Sequence, residues 1–165
     1  MPNLRITILV ENTASREVLA EHGLSFWIEI DEHRVLFDTG QGHVLAHNAE
    51  KLDITPARAD AVVISHGHYD HAGGLPGVLA ENPDVPVYAH PAAFEPKYSR
   101  RPDGSCRDVG APDLGGPGEA LGTNIITVEG PVEVCPRLHL TGPVPMVTDY
   151  EDTGGAFYAD RECTE

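Results

Sequence analysis

A chain of 165 residues has the length of one domain, and a 41% hydrophobic content is enough for a sizeable core. The 26 acidic residues outnumber the 11 basic ones, for a formal charge of −15. This excludes non-specific binding to nucleic acid or to an anionic membrane surface, since phosphate attraction needs Lys and Arg. Cys106, Cys135 and Cys163 are odd in number and lack C-x-x-C spacing, so neither a disulfide framework nor a cysteine zinc site is expected. The start, Met1 to Asn12, has one Arg and an apolar run too short for a signal peptide or a membrane span. The expected compartment is the cytoplasm.

In chain order, Leu4 to Val10 reads as a first strand, and Thr13 to His22 as a helix stopped by Gly23. Leu24 to Ile30 and Val35 to Asp38 form a hairpin across the polar turn Asp31-Glu32-His33-Arg34. His43 to Leu52 has helical spacing. Ala61 to Ser65 is a β-branched apolar run, read as a buried strand. Leu75 to Glu81 is a short helix closed by Asn82-Pro83, and Val85 to Ala89 is the next strand. Residues 91–122 are dense in Pro and Gly and lose all periodicity, which predicts an irregular loop or lid. Ile125 to Val128, Val132 to Val134 and Leu138 to Leu140 read as short strands; Asp149 to Glu165 shows neither helix nor strand.

The chemistry concentrates in His66-Gly67-His68-Tyr69-Asp70-His71, at the end of the 61–65 strand and before Gly73-Gly74. In extended backbone, residues two apart point the same way, so His66 and His68 can converge on one ion. Asp70 and His71 follow one turn later and face a neighbouring position. Imidazole nitrogen with carboxylate oxygen is the ligand set of zinc or a similar borderline metal. A merely solvated loop would not gather three of the nine His residues into six positions.

A strand, then HxHxDH, then glycines resembles the metallo-β-lactamase fold superfamily, and Phe37-Asp38-Thr39-Gly40 resembles its first motif. Four stretches resemble one subgroup, the dihydropterin–ribofuranosylaminobenzene phosphate synthase-like proteins. They are Glu21-His22-Gly23-Leu24-Ser25, residues 65–71, Ala89-His90-Pro91-Ala92-Ala93-Phe94, and Pro96-Lys97-Tyr98-Ser99. The resemblance implies an α/β (α+β) fold, a mixed sheet with helices on one face, in a single domain over residues 1–165. It also implies one or two zinc ions, with iron or manganese as alternatives. His66 and His68 would bind the first ion and Asp70 and His71 the second, with Asp70 also catalytic and Asp38 orienting the ligands from beneath. The implied activity is that of a metal-dependent hydrolase or transferase on a small phosphorylated or ester substrate.

Members of the superfamily also draw ligands from a second half. Downstream of the motif only His90 and His139 remain, and neither stands in such a second-half pattern. The chain therefore reads as roughly the first half of an αββα sandwich. The rival expectation is a truncated, non-catalytic half-domain completed by a second copy or a companion chain. Lys97, Tyr98, Arg100 and Arg101 form the one dense basic patch, read either as a substrate-phosphate site or as solvated loop charges. His22 reads either as a residue at the pocket rim or as a structural cap beside Gly23.

Overall fold

The computed structural model describes residues 3–15, 17–114, 124–151 and 155–164. Its centre is a six-stranded mixed sheet in the order β1-β2-β3-β4-β5-β8. These strands are β1 (Leu4–Val10), β2 (Ser25–Ile30), β3 (His33–Phe37), β4 (Ala61–Val63), β5 (Val87–Ala89) and β8 (Ile125–Thr127). Two further small sheets involve β6 (Tyr98–Arg100), β7 (Cys106–Asp108), β9 (Val132–Cys135), β10 (Leu138–Leu140) and β11 (Phe157–Tyr158). The helices are α1 (Leu45–Lys51), α2 (Tyr69–Ala72) and α3 (Leu75–Glu81). Strands β1 to β3 are antiparallel, and β3, β4, β5 and β8 run parallel.

Alternation sorts the side chains onto two faces. Trp27, Leu36, Val62 and Val87 pack with Leu45, Leu75, Val78 and Leu79 of the helices into the larger core. Ile28, Val35, Ala61 and Val63 line the opposite face, covered by Val134, Cys135, Leu138 and Leu140 of the β9–β10 hairpin. Helices on one face of a mixed sheet are thus observed as expected.

Four expectations are corrected. No helix forms among the described residues of Thr13 to His22. The buried Asn48 side chain takes the backbone there instead: its Oδ1 accepts from Leu19 N at 2.8 Å, and its Nδ2 donates to Leu9 O and Leu19 O at 2.7 and 2.8 Å. Backbone groups committed to Asn48 are lost to a helix ladder. Second, residues 91–114 are not irregular. They contain a 3₁₀ turn, Pro91–Phe94, and the paired strands β6 and β7. The remainder of the expected loop, 115–122, lies outside the described residues. Third, the tail forms a strand, β11, which pairs with β6. Fourth, Cys106 and Cys163 are disulfide-bonded, leaving Cys135 free. Pairing across 57 positions carries no local sequence signal.

Candidate metal centre

Strands β3 and β4 lie parallel, with Phe37 opposite Val63, so their C-terminal ends deliver Asp38 and Ser65 side by side. The chain then turns through Gly67, whose missing side chain is what lets it approach; a Cβ there would sit 1.6 Å from Ala93 O. Asp70 and His71 follow on α2, a single helical turn.

Asp38 is fully buried. Its Oδ1 accepts from the Ser65 amide at 2.7 Å; its Oδ2 accepts from the Ser65 hydroxyl and from His71 Nδ1, each at 2.7 Å. The Ser65 hydroxyl proton is thereby committed, so at 3.0 Å its oxygen accepts from His66 Nδ1. One carboxylate and one hydroxyl thus fix the tautomers of two imidazoles. In both, Nδ1 carries the proton and Nε2 presents a bare lone pair, as second-shell partners arrange for metal-binding histidines.

The side-chain donor atoms approach one another in pairs. His66 Nε2 is 3.1 Å from His68 Nδ1, and His71 Nε2 is 3.7 Å from Asp70 Oδ2. Two donors sharing a tetrahedral ion at bonds of about 2.0–2.1 Å stand roughly 3.3 Å apart. The donor set and the pair spacings therefore fit a divalent cation. Among the described residues, however, no group of three or more His, Cys, Asp or Glu side chains is placed to hold a metal ion.

Burial, the largest effect, pushes the pKa of His66 and of His68 down; the neighbouring histidines push His66 further the same way. Burial acts likewise on His71, but the hydrogen bond and charge of Asp38, with the charge of Asp70, outweigh it and leave its pKa raised. His66 and His68 are thus held neutral, the state in which imidazole ligates.

The other expected site residues lie differently. Lys97 borders the same cavity as His66, but its ammonium donates to Ala92 O, Ala93 O and Glu95 O at 2.6, 3.1 and 2.9 Å. All three donors are consumed. Tyr98 is buried in the β11-β6-β7 sheet and bonded to Arg161. Arg100 donates to Cys163 O and lies over the Tyr158 ring. Lys97 and Arg100 therefore hold the 92–95 turn and the tail. His22 is no helix cap, since no helix precedes it among the described residues; its Nε2 stands 3.2 Å from Asp70 Oδ2. Sequence reasoning missed Ser65 as the tautomer-setting hydroxyl, although its place directly before His66 at a strand end is the available signal. It also missed Phe157, whose ring centroid is 4.7 Å from that of His68.

Beside His66 opens a cavity of about 660 Å³, walled by Phe37, Val63, Tyr88 and Val128 and bordered by His90 and His139.

The model of the metallo-beta-lactamase superfamily matches residues 19–161. The chain belongs to that superfamily. It is 31% identical over 154 residues to the 7,8-dihydropterin-6-methyl-4-(beta-D-ribofuranosyl)-aminobenzene-5'-phosphate synthase of Methanocaldococcus jannaschii, covering 86% of this chain and 51% of that one. An uncharacterised protein of the same organism is 34% identical, covering 88% of this chain and 56% of its own. Among solved structures, Tm1679, described as a metal-dependent hydrolase of the beta-lactamase superfamily, aligns with a TM-score of 0.75 at 32% identity, over 98% of this chain and 56% of that one. The chain spans about half the length of the curated relatives it matches. Membership of this superfamily supports a hydrolase-like or related enzyme.

Proposed function

We propose that this chain carries the cation-binding part of a metal-dependent hydrolase or transferase that acts on a small phosphorylated or ester substrate. The observation that carries the reading is the Asp38–Ser65 pair, which spends the Nδ1 protons of His66 and His71 and leaves both Nε2 atoms bare. A set of imidazoles and carboxylate suits zinc, iron or manganese. His66 and His68 would hold one ion, and Asp70 with His71 a second; such an ion supplies Lewis-acid chemistry when bound. Asp70 would accept a proton from an attacking water. Asp38 stays beneath, keeping His71 oriented. The apolar wall of the cavity would seat the non-reacting part of the substrate and exclude water from it.

The test is reconstitution with Zn²⁺, Mn²⁺ or Fe²⁺, followed by assay on chromogenic phosphoesters, carboxylic esters and thioesters. Metal-dependent turnover is expected, and the variant His66→Ala/His68→Ala is expected to lose both bound metal and turnover. Unchanged metal content in that double variant would sink the site assignment. A second reading, a domain that binds the cation but turns nothing over unless a companion chain or second copy joins it, is motivated by the half-length match to the relatives. Full metal occupancy with no turnover on any substrate class would favour it.

A further inference from the structure

Strand β11 joins β6 through two residues, Phe157 opposite Ser99 and Tyr158 opposite Tyr98. That pairing brings the Phe157 ring to 4.7 Å from the His68 ring, centroid to centroid, at a tilt of 44°. Phe157 is 46% exposed and belongs to neither core cluster; the side chain it lies against is a member of the candidate centre. A pairing of two residues is marginal by itself. Cys163, fully buried, secures it by its bond to Cys106 of β7. Arg100 adds two contacts, since its guanidinium donates to Cys163 O and lies 5.0 Å from the centroid of the Tyr158 ring. Strand β7 in turn leads to Val109, whose carbonyl accepts from Tyr69 N in the motif at 3.0 Å. One segment therefore carries both a cover for His68 and the only covalent tie among the described residues that holds the cover in place.

We propose that the Cys106–Cys163 bond is a redox latch: oxidised, it holds Phe157 over His68, and its reduction releases the tail and opens that side of the centre. What the opening means for the centre rests on the cation-binding reading above; the latch itself does not.

The step balances with a dithiol as the reductant. Cys106 is half-buried and Cys163 fully buried, so attack falls on Cys106 Sγ. The reductant's thiolate bonds to Cys106 Sγ, the bond between the two cysteines breaks, and Cys163 leaves as a thiolate. The Arg100 guanidinium, held at Cys163 O, keeps a positive charge beside that leaving group. The reductant's second thiol then displaces Cys106 and closes its own disulfide. Two electrons pass to the protein, and the two protons of the dithiol end on Cys106 and Cys163.

The experiment is histidine labelling of the full metal-free chain with diethylpyrocarbonate, read by peptide mass spectrometry. The oxidised chain is compared with one treated with dithiothreitol, alkylated at its freed thiols and desalted. His33, at the opposite end of β3 from Asp38, is the internal control. His68 is expected to label several-fold faster in the reduced chain while His33 keeps its rate. Phe157→Ala with the bond intact should label His68 as fast as the reduced wild type, and reduction should add nothing further. Circular dichroism reports whether the sheet persists in each sample. Loss of the sheet signal on reduction would make the bond a structural staple and overturn the proposal. Equal His68 labelling in folded oxidised and reduced chains overturns it as well, and so does an unchanged rate in Phe157→Ala. No metal enters these measurements, so a chain that takes up no cation sinks the cation-binding reading and leaves the latch to be judged on its own result.

Discussion

At the scale of single residues, Asp38 sets the protonation of the whole centre. It has φ +56°, a left-handed conformation that Asp and Asn tolerate best, so Asp38→Asn keeps the backbone. The amide, however, brings two donors to a place where three already converge. We expect the His71 pKa in this variant to fall below its raised native position, read from imidazole proton shifts in the metal-free chain. The linkage has two signs. His71, with its pKa raised in the fold, contributes stability that is full below its ordinary 6.5 and fades as pH rises through its folded value. His66 and His68, lowered by burial, contribute above 6.5 and lose that contribution as pH falls through their folded values. In Asp38→Asn the first component should vanish while the second persists, so the decline in urea midpoint that His71 gives the wild type as pH rises above 6.5 should be absent from the metal-free variant. How much of the centre is legible in the sequence also becomes clear here. The spacing of His66, His68, Asp70 and His71 is a local signal, and it places all four side chains at one strand end. Lys97 looks like a free charge in the sequence, because nothing local reveals that three backbone carbonyls already take its donors.

At the scale of elements, the sheet strands and α3 read directly from apolar periodicity, whereas Thr13 to His22 does not. Its composition favours a helix, but propensity is a weak prior, and a buried Asn48 side chain 29 positions away from Leu19 overrides it. The same long-range character hides the disulfide. Cys106 and Cys163 join β7 to the tail behind β11, and β7 leads into residues that bond the motif loop: Tyr69 N donates to Val109 O at 3.0 Å, and Arg107 lies over the Tyr69 ring. Closing a loop of 57 positions is worth about 4 kcal/mol in the chain-entropy account. Treatment with dithiothreitol is therefore expected to lower the urea midpoint and to expose the 155–164 segment to protease, while a control without reductant resists cleavage. The Gly23 turn gives a second expectation at this scale. Gly23→Ala places a Cβ against Asp70 O in a backbone conformation that alanine disfavours, and should cost roughly 2–4 kcal/mol. Denaturant melts measure it; an unchanged midpoint would mean that the 21–24 segment does not press on α2.

At the scale of the molecule, the two faces of the central sheet are unequally covered. Helices close one, but on the other the hairpin β9–β10 stops short of β1, whose Leu4, Ile6 and Ile8 are each 56% exposed. These three stand in register with Ile30, Ile28 and Phe26, so the row continues the apolar face of the sheet to its edge. An edge strand with an apolar row is prone to association, and a charge of −15 opposes the meeting of two copies. Raising the salt concentration relaxes that opposition and strengthens apolar burial. Sedimentation should accordingly show mass increasing with salt in the wild type, and Ile6→Lys should hold the chain at its monomer mass. A salt-independent monomer in the wild type would mean the row is tolerated as it stands.

The parallel pairing of β3 with β4 has one more consequence. Asp38 and Ser65 are 27 positions apart, and their bond forms only once Phe37 has found Val63 across a crossover connection. Non-local parallel pairing of this kind is slow to form. Ser65 is solvent-exposed, yet its amide is committed to a carboxylate with no exposure at all. Its deuterium uptake should therefore be out of keeping with its surroundings: slow while the register of β3 and β4 survives, and fast as soon as it is lost. That single amide becomes a clock for the assembly of the centre, readable without metal, substrate or turnover.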